Sequence, residues 1–310
     1  MANLASFALR IQTRLKVQPT TLHESWPRRV GTATTRRAHS ATADTRNNKE
    51  KLASLSYDDV TGVATLSMSS KPVNALNADF LRSLLEALEA ARKIPACRGL
   101  LLASSLPVFS AGLDFRMTRA RDKKAFADCW RALLDFWSSL YGLTTEFPTV
   151  ALVNGASPAG GCALSLACDY RVMLRGKHRI GLNETPVGIP PPYWLKDAMA
   201  TLIGTRKTEL ALMRGSLWEP EEALRIGLID EVASDPVDGL ARCYRFIDGF
   251  AELSRGAMGL QKKQLRAELT ERMRSDVELQ IERLSDQVFS HEHLGVVDEF
   301  FRSKSEKNNK

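Results

Sequence analysis

An α/β fold with a largely parallel sheet, followed by a helical C-terminal region, is what this 310-residue sequence predicts. Three observations carry that expectation. Short apolar, β-prone runs bounded by turn residues recur up to about residue 174. Segments of helical period separate them, as connections between parallel strands require. Beyond Pro192 the pattern becomes helical.

In chain order, YDDVTGVATLSMS (57–69) reads as a hairpin turning at Gly62. KPVNALN is a loop whose Asn77 can cap a helix from Ala78 to Lys93, where Phe80, Leu81, Leu84, Leu85 and Leu88 fall at helical spacing. RGLLLAS (98–104), FPTVALVNG (147–155) and CDYRVML (168–174) have the form of buried strands. Between the first two lies a helix with Phe126, Trp130, Leu133, Leu134, Trp137 and Tyr141 on one stripe, read as core packing. After Pro192, WLKDAMATLIG, KTELALMRG, EPEEALRIGL and the stretch from Val237 to Arg302 are helical by period. The implied organisation is a leader over 1–45, an α/β core over 52–235 and a helical region over 236–310.

Charge is concentrated at one end. The formal net charge is +7, but residues 1–50 hold nine Lys or Arg against three acids, which leaves +1 for residues 51–310. A near-neutral body argues against a polyanion-binding face, so no nucleic-acid partner is expected. The leader, rich in Arg, Ser, Thr and Ala, sets Leu4, Phe7, Ile11 and Leu15 at helical spacing beside Arg10 and Arg14. That is the character of a mitochondrial transit peptide, the alternative being a disordered basic tail. No apolar run approaches the roughly 18 residues a spanning helix needs, so no membrane insertion is expected.

The five cysteines lack CxxC pairing, and the five histidines lack ligand spacing; His291 and His293 fall together in a polar helical tail. No metal site or disulfide framework is expected. Cys162 and Cys168 sit in an apolar run and read as core residues.

Three segments could carry chemistry. FSAGLDF (109–115) and NGASPAGGCALSLACD (154–169) are glycine-containing turns after strands, and Gly160 and Gly161 place bare N–H groups where a helix begins. Neither the GK[ST] of a P-loop nor GxGxxG is present. The third segment, GLNETPVGIPP, holds Glu184, the only acid between Tyr170 and Lys196. Two amide donors and one isolated carboxylate suit abstraction of a proton beside a thioester carbonyl: the donors hold the enolate oxygen and the carboxylate moves the proton.

Taken together, FSAGLD, PAGGCALSLACDYR and IGLNETPVGIPP resemble motifs of the crotonase (enoyl-CoA hydratase/isomerase) superfamily over roughly residues 52–300. The resemblance implies a crotonase-like ββα superhelix with a helical C-terminal trimerisation region, and an acyl-CoA thioester as substrate. It implies an oxyanion hole from the amides of Leu113 and Gly160, an acyl-CoA path along Ala111, Gly112, Leu113, Asp114 and Phe115, and Asn183 beside the base Glu184. Hydratases of the family carry a second glutamate where this chain has Ala163. With that acid gone, the resemblance implies an isomerase that converts cis- or trans-3-enoyl-CoA to trans-2-enoyl-CoA in the oxidation of unsaturated fatty acids. Other readings are a hydratase or thioesterase of the family and a non-catalytic RNA-binding or scaffold member. No cofactor is expected, CoA being part of the substrate. A homotrimer in the mitochondrial matrix is implied, and the terminal KSEKNNK offers no SKL-type address. Lys71, Lys262 and Lys263 are candidate partners for CoA phosphates, each read more simply as a solvated surface lysine.

Overall fold

The computed structural model describes residues 51–143 and 146–308. The expected hairpin is present as β1 (Ala53–Asp58) and β2 (Val63–Met68), paired antiparallel with Leu55 opposite Leu66. Helix α1 (Ala78–Arg92) begins where Asn77 accepts the Phe80 N–H at 3.0 Å, and it buries Phe80, Leu81, Leu84 and Leu88 on one face. It carries the chain over to β3 (Gly99–Ser104), which pairs parallel to β2 and is buried throughout. A run as apolar as GLLLAS suits a strand covered on both faces.

After the short helix α2 (Phe115–Arg119) and the long α3 (Lys123–Ser138), β4 (Thr149–Val153) extends the parallel ladder beside β3. Two-residue β5 (Ser157–Pro158) and helix α4 (Gly160–Leu166) follow, then β6 (Tyr170–Leu174) next to β4. β7 (Ile180–Gly181) pairs parallel with β5 as a separate small ladder. Helices α5 (Tyr193–Ile203), α6 (Thr205–Arg214) and α7 (Pro220–Ile226) come next, then strand β8 (Glu231–Ala233). The main sheet runs β1-β2-β3-β4-β6-β8. The chain ends in α8 (Pro236–Asp248), α9 (Arg255–Ser275), α10 (Val277–Val288) and α11 (His291–Asn308).

Several expectations need correction. β8 lies between two segments read as helical, where no strand was expected; its three residues are too few for a period, but they pair parallel to β6 and close the sheet edge. Tyr141 does not sit on α3, because the helix gives way to a wider turn over Ser139–Leu143. Lys262 is not a solvated lysine. It is buried on α9, 2.8 Å from Asp169 Oδ2, and Arg266 reaches the other carboxylate oxygen at 2.9 Å. Burial alone would raise the Asp169 pKa, and these two cations outweigh it and hold the carboxylate below its usual range. Lys262 thus ties α9 to the strand end at Asp169. Lys263 beside it is exposed.

The leader expected over 1–45 lies outside the described residues. Among the described residues no helix is long and apolar enough to cross a membrane. All five cysteines are buried. Burial pushes the Cys162 and Cys168 thiols up, which makes both unreactive.

Candidate active site

The loop after β3 is shaped by the KPVNALN segment rather than by its own sequence. Asn74 is fully buried with a φ of 50°, and its Nδ2 donates to Ser104 Oγ at 2.8 Å and to the Phe109 carbonyl at 2.9 Å. Further along, the Leu76 N–H donates to the Gly112 carbonyl and the Leu76 carbonyl accepts from Asp114 N–H. Those two bonds use one side of the FSAGLDF backbone. By the alternation of a parallel ladder, the Leu113 amide between them faces the other way.

On that side lies the N-terminus of α4. A Cβ built on Gly160 would come 3.0 Å from Gly112 Cα and 3.4 Å from Leu113 N. Gly112, at a φ of 81°, would in turn place a Cβ 3.0 Å from Gly160 N. Both positions therefore need glycine: the first for a close approach of two backbones, the second also for its left-handed conformation. The residue before Gly160, Ala159, has φ 47° and ψ −118°, a region that non-glycine residues occupy only at a cost of about 1–3 kcal/mol. That conformation brings the chain out of β5 and turns the first amides of α4 toward Leu113. Among the described residues, neither the Leu113 nor the Gly160 N–H donates to a backbone or side-chain acceptor.

The third segment is held against the second by β5 and β7, where Ser157 faces Ile180 and the Ala159 N–H donates to the Gly181 carbonyl at 2.8 Å. Glu184 then opens a single 3₁₀ turn, Thr185–Val187, which is fastened to α6 by Thr185 Oγ1 donating to the Leu212 carbonyl at 2.5 Å. The residue as a whole is half-buried, but its Oε2 is fully enclosed and has no partner. Burial pushes the carboxyl up to about 7, opposed only by a hydrogen bond from its own backbone N–H.

These groups meet at one cavity that opens to solvent. Leu113, Gly160 and Glu184 line it together with Ala111 and Phe115. Among the described residues that line it, Glu184 is the only carboxylic acid, and Ala163 forms part of the wall. The α3 stripe contributes Phe126, Trp130 and Leu133, so part of the expected core packing is also cavity wall.

Three sequence-predicted residues lie outside the lining. Gly112 acts by its backbone, as above. Asp114 caps α2 through the Arg116 N–H and takes Arg116 Nη2 at 2.5 Å; these bonds outweigh its burial and keep its pKa low. Asn183 precedes the base but packs its Cα toward Gly215, and its Oδ1 is buried without a partner.

Sequence reasoning missed Asn74, Ala159 and His293. No local signal marks the first two, whose backbone conformations are imposed by neighbouring loops. His293 was placed in a polar tail, yet it is fully buried and lines the cavity. Its spacing of four from the buried Val297 puts both on one face of α11, a signal that the tail's high charge obscures.

A buried carboxyl poised near neutrality opposite two free amide donors can exchange a proton with a carbon acid while the donors hold the charge on its carbonyl oxygen. The family model for enoyl-CoA hydratase/isomerase matches residues 58–304. The chain is 42% identical over 184 residues to mitochondrial enoyl-CoA delta isomerase 1 of Rattus norvegicus, a match covering 58% of this chain and 63% of that protein. The Homo sapiens protein of the same name is 42% identical over 176 residues, covering 56% and 58%. The match thus spans less than two thirds of these relatives' length. The crystal structure of human mitochondrial delta3-delta2-enoyl-CoA isomerase superimposes with a TM-score of 0.78 at 31% identity, covering 83% of this chain and 99% of that one. An enoyl-CoA hydratase from Bacillus halodurans superimposes with a TM-score of 0.71 at 25% identity, covering 80% and 99%.

Proposed function

Because this chain belongs to the enoyl-CoA hydratase/isomerase family, we propose that it is an isomerase that moves the double bond of cis- or trans-3-enoyl-CoA to give trans-2-enoyl-CoA. One observation carries the choice within the family: Glu184 is the lone carboxyl group among the described residues lining the cavity. Adding water across a double bond calls for groups that orient and activate a water as well as protonate carbon. Moving a proton between two carbons of one substrate needs a single group that takes it and gives it back.

In the proposed reaction the thioester oxygen accepts from the amides of Leu113 and Gly160. That withdraws charge from C2, and Glu184 removes a C2 proton. Negative charge spreads over the dienolate, with most of it on the oxygen that the two amides hold. Glu184, now protonated, delivers the proton to C4, and the double bond comes to rest between C2 and C3. A carboxyl group with an ordinary pKa would hold the proton too weakly for that return. One raised to about 7 by burial balances the two steps.

The base must be ionised to start the reaction, so kcat/KM is expected to rise with pH through a midpoint near 7 and then level. A profile flat down to pH 5 would show that the carboxyl is not desolvated in solution. The reaction class is tested by incubating the protein separately with 3-enoyl-CoA and 2-enoyl-CoA. Isomerisation of the first should exceed hydration of the second by about a hundredfold or more, the loss expected when one of two cooperating acid–base groups is missing. Hydration of the second without isomerisation of the first would replace this reading by a hydratase.

Ala163 is fully buried in the cavity wall, and its carbonyl accepts the Trp137 Nε1–H at 2.8 Å, which fixes its backbone there. Ala163→Glu is expected to raise hydration of 2-enoyl-CoA above the wild-type rate, at a cost of a few kcal/mol in stability for the new buried carboxyl. An unchanged hydration rate in a variant that still melts cooperatively would mean that this position does not separate the two reactions. The leader's composition and the mitochondrial relatives support action in the mitochondrial matrix. The homotrimer remains part of the proposal on the strength of the resemblance.

A further inference from the structure

Two polar atoms in the cavity wall are left over by this mechanism. His293 is fully buried, and its Nδ1 lies 2.6 Å from the Val187 carbonyl. A carbonyl can only accept, so Nδ1 carries a proton, and in the tautomer this selects Nε2 is the acceptor. That Nε2 is buried without a partner. The bond to Val187 fixes the ring on the 3₁₀ turn that begins at Glu184, and Phe115 packs edge-on against it with centroids 5.7 Å apart. Trp130 stacks on Phe126, and its Nε1–H donor is likewise buried without a partner. Both residues line the same cavity as Glu184.

A plain alkyl chain would fill this cavity and leave both atoms unpaired, at the desolvation cost of each. We propose that the acyl cavity takes a fatty acyl chain bearing a hydroxyl group, whose O–H donates to His293 Nε2 and whose oxygen can accept from Trp130 Nε1–H. A hydroxyl is both donor and acceptor, the pair of properties that these two atoms lack. A keto group could satisfy Trp130 alone, and a carboxylate would face the lone pair of Nε2. This subsite deepens the acyl-CoA reading above and rests on it for the identity of the thioester.

The test is made by binding rather than turnover, so that its failure is separate from failure of the isomerase assignment. Calorimetry at pH 8 compares saturated acyl-CoA of one chain length, unsubstituted or with a single hydroxyl at successive positions along the tail. At one position the hydroxyl should tighten Kd by about tenfold, the value of pairing an otherwise orphaned buried group. His293→Asn keeps a donor within reach of Val187 and removes the atom at Nε2. It should bring the hydroxylated and unsubstituted thioesters to the same Kd, whatever it does to the affinity they share. Trp130→Phe keeps the ring stack and should reduce the advantage severalfold; an undiminished advantage there would remove Trp130 from the subsite. The proposal is overturned if no hydroxyl position binds tighter than the alkyl chain, or if the advantage survives in His293→Asn. Selective hydroxyacyl binding by a protein that does not isomerise 3-enoyl-CoA would sink the proposed reaction and keep the subsite.

Discussion

Glu184→Gln is expected to lower kcat for 3-enoyl-CoA by about a thousandfold or more while leaving acyl-CoA affinity within a few-fold, since the amide keeps the shape and loses the base. The same substitution should stabilise the protein. In the folded state the carboxyl pKa is raised from 4.5 to about 7, so the folded protein binds the proton more tightly than the unfolded chain. The stability this contributes is full below pH 4.5 and is lost as pH rises through 7. At pH 8 wild type therefore carries a cost on the order of 1–3 kcal/mol for an ionised, enclosed carboxylate, discounted for the residue's partial exposure. Glutamine avoids that cost. Equilibrium unfolding should show the variant more stable than wild type at pH 8 and the difference shrinking toward pH 5. Substantial residual turnover would place the base elsewhere, and a stability gap independent of pH would mean that Glu184 is not desolvated.

The second large effect is expected at Gly160. A single methyl there would meet Leu76 Cδ1 at 2.8 Å and Gly112 Cα at 3.0 Å, between the two amides that face the cavity. The leucine methyl can rotate away, but the Gly112 backbone cannot without moving the Leu113 N–H. Gly160→Ala should reduce kcat by about 10²–10³-fold, as loss of an oxyanion donor does. It should destabilise by only about 1–3 kcal/mol, the usual cost of modest overpacking. The contrast with Glu184→Gln is diagnostic: both lose turnover, but one gains stability and the other loses it. A fully active Gly160→Ala variant would mean that the amides are not positioned as a pair.

The parts of the fold that were legible in the sequence are those where local pattern and tertiary environment agree. GLLLAS and TVALV are buried throughout and carry a polar residue only at one end, as strands covered on both faces do, and Asn77 marks the start of α1 because its side chain accepts the Phe80 amide. β8 was illegible: three residues of ladder pairing leave no period to read. Lys262 misled for a different reason. Its burial depends on Asp169, which lies on another element and is joined to it only in the folded chain.

The site divides in the same way. Glu184 and Gly160 could be singled out as candidates because a glycine turn and an isolated acid are visible one segment at a time, and Leu113 because FSAGLD resembles a family motif. What turns Leu113 toward the cavity is the clamp of Leu76 on its neighbours, and what turns Gly160 is the strained backbone of Ala159. Neither leaves a mark on residue type. His293 comes from the last helix and reaches the turn of Glu184 across more than a hundred residues, so only the fold could bring it there.

The central claim is that one enclosed carboxyl carries one proton from C2 to C4, and following that proton tests it most directly. With 3-enoyl-CoA doubly deuterated at C2, single-turnover product analysed by mass spectrometry should retain a measurable share of deuterium at C4. The acid that receives the label is buried at Oε2 and gives it back before full exchange with water. A product whose new C4 hydrogen comes wholly from solvent in the first turnover would contradict the account, because the acid would then exchange with water faster than it returns its proton, or another group would supply it, and neither fits one enclosed carboxyl as carrier.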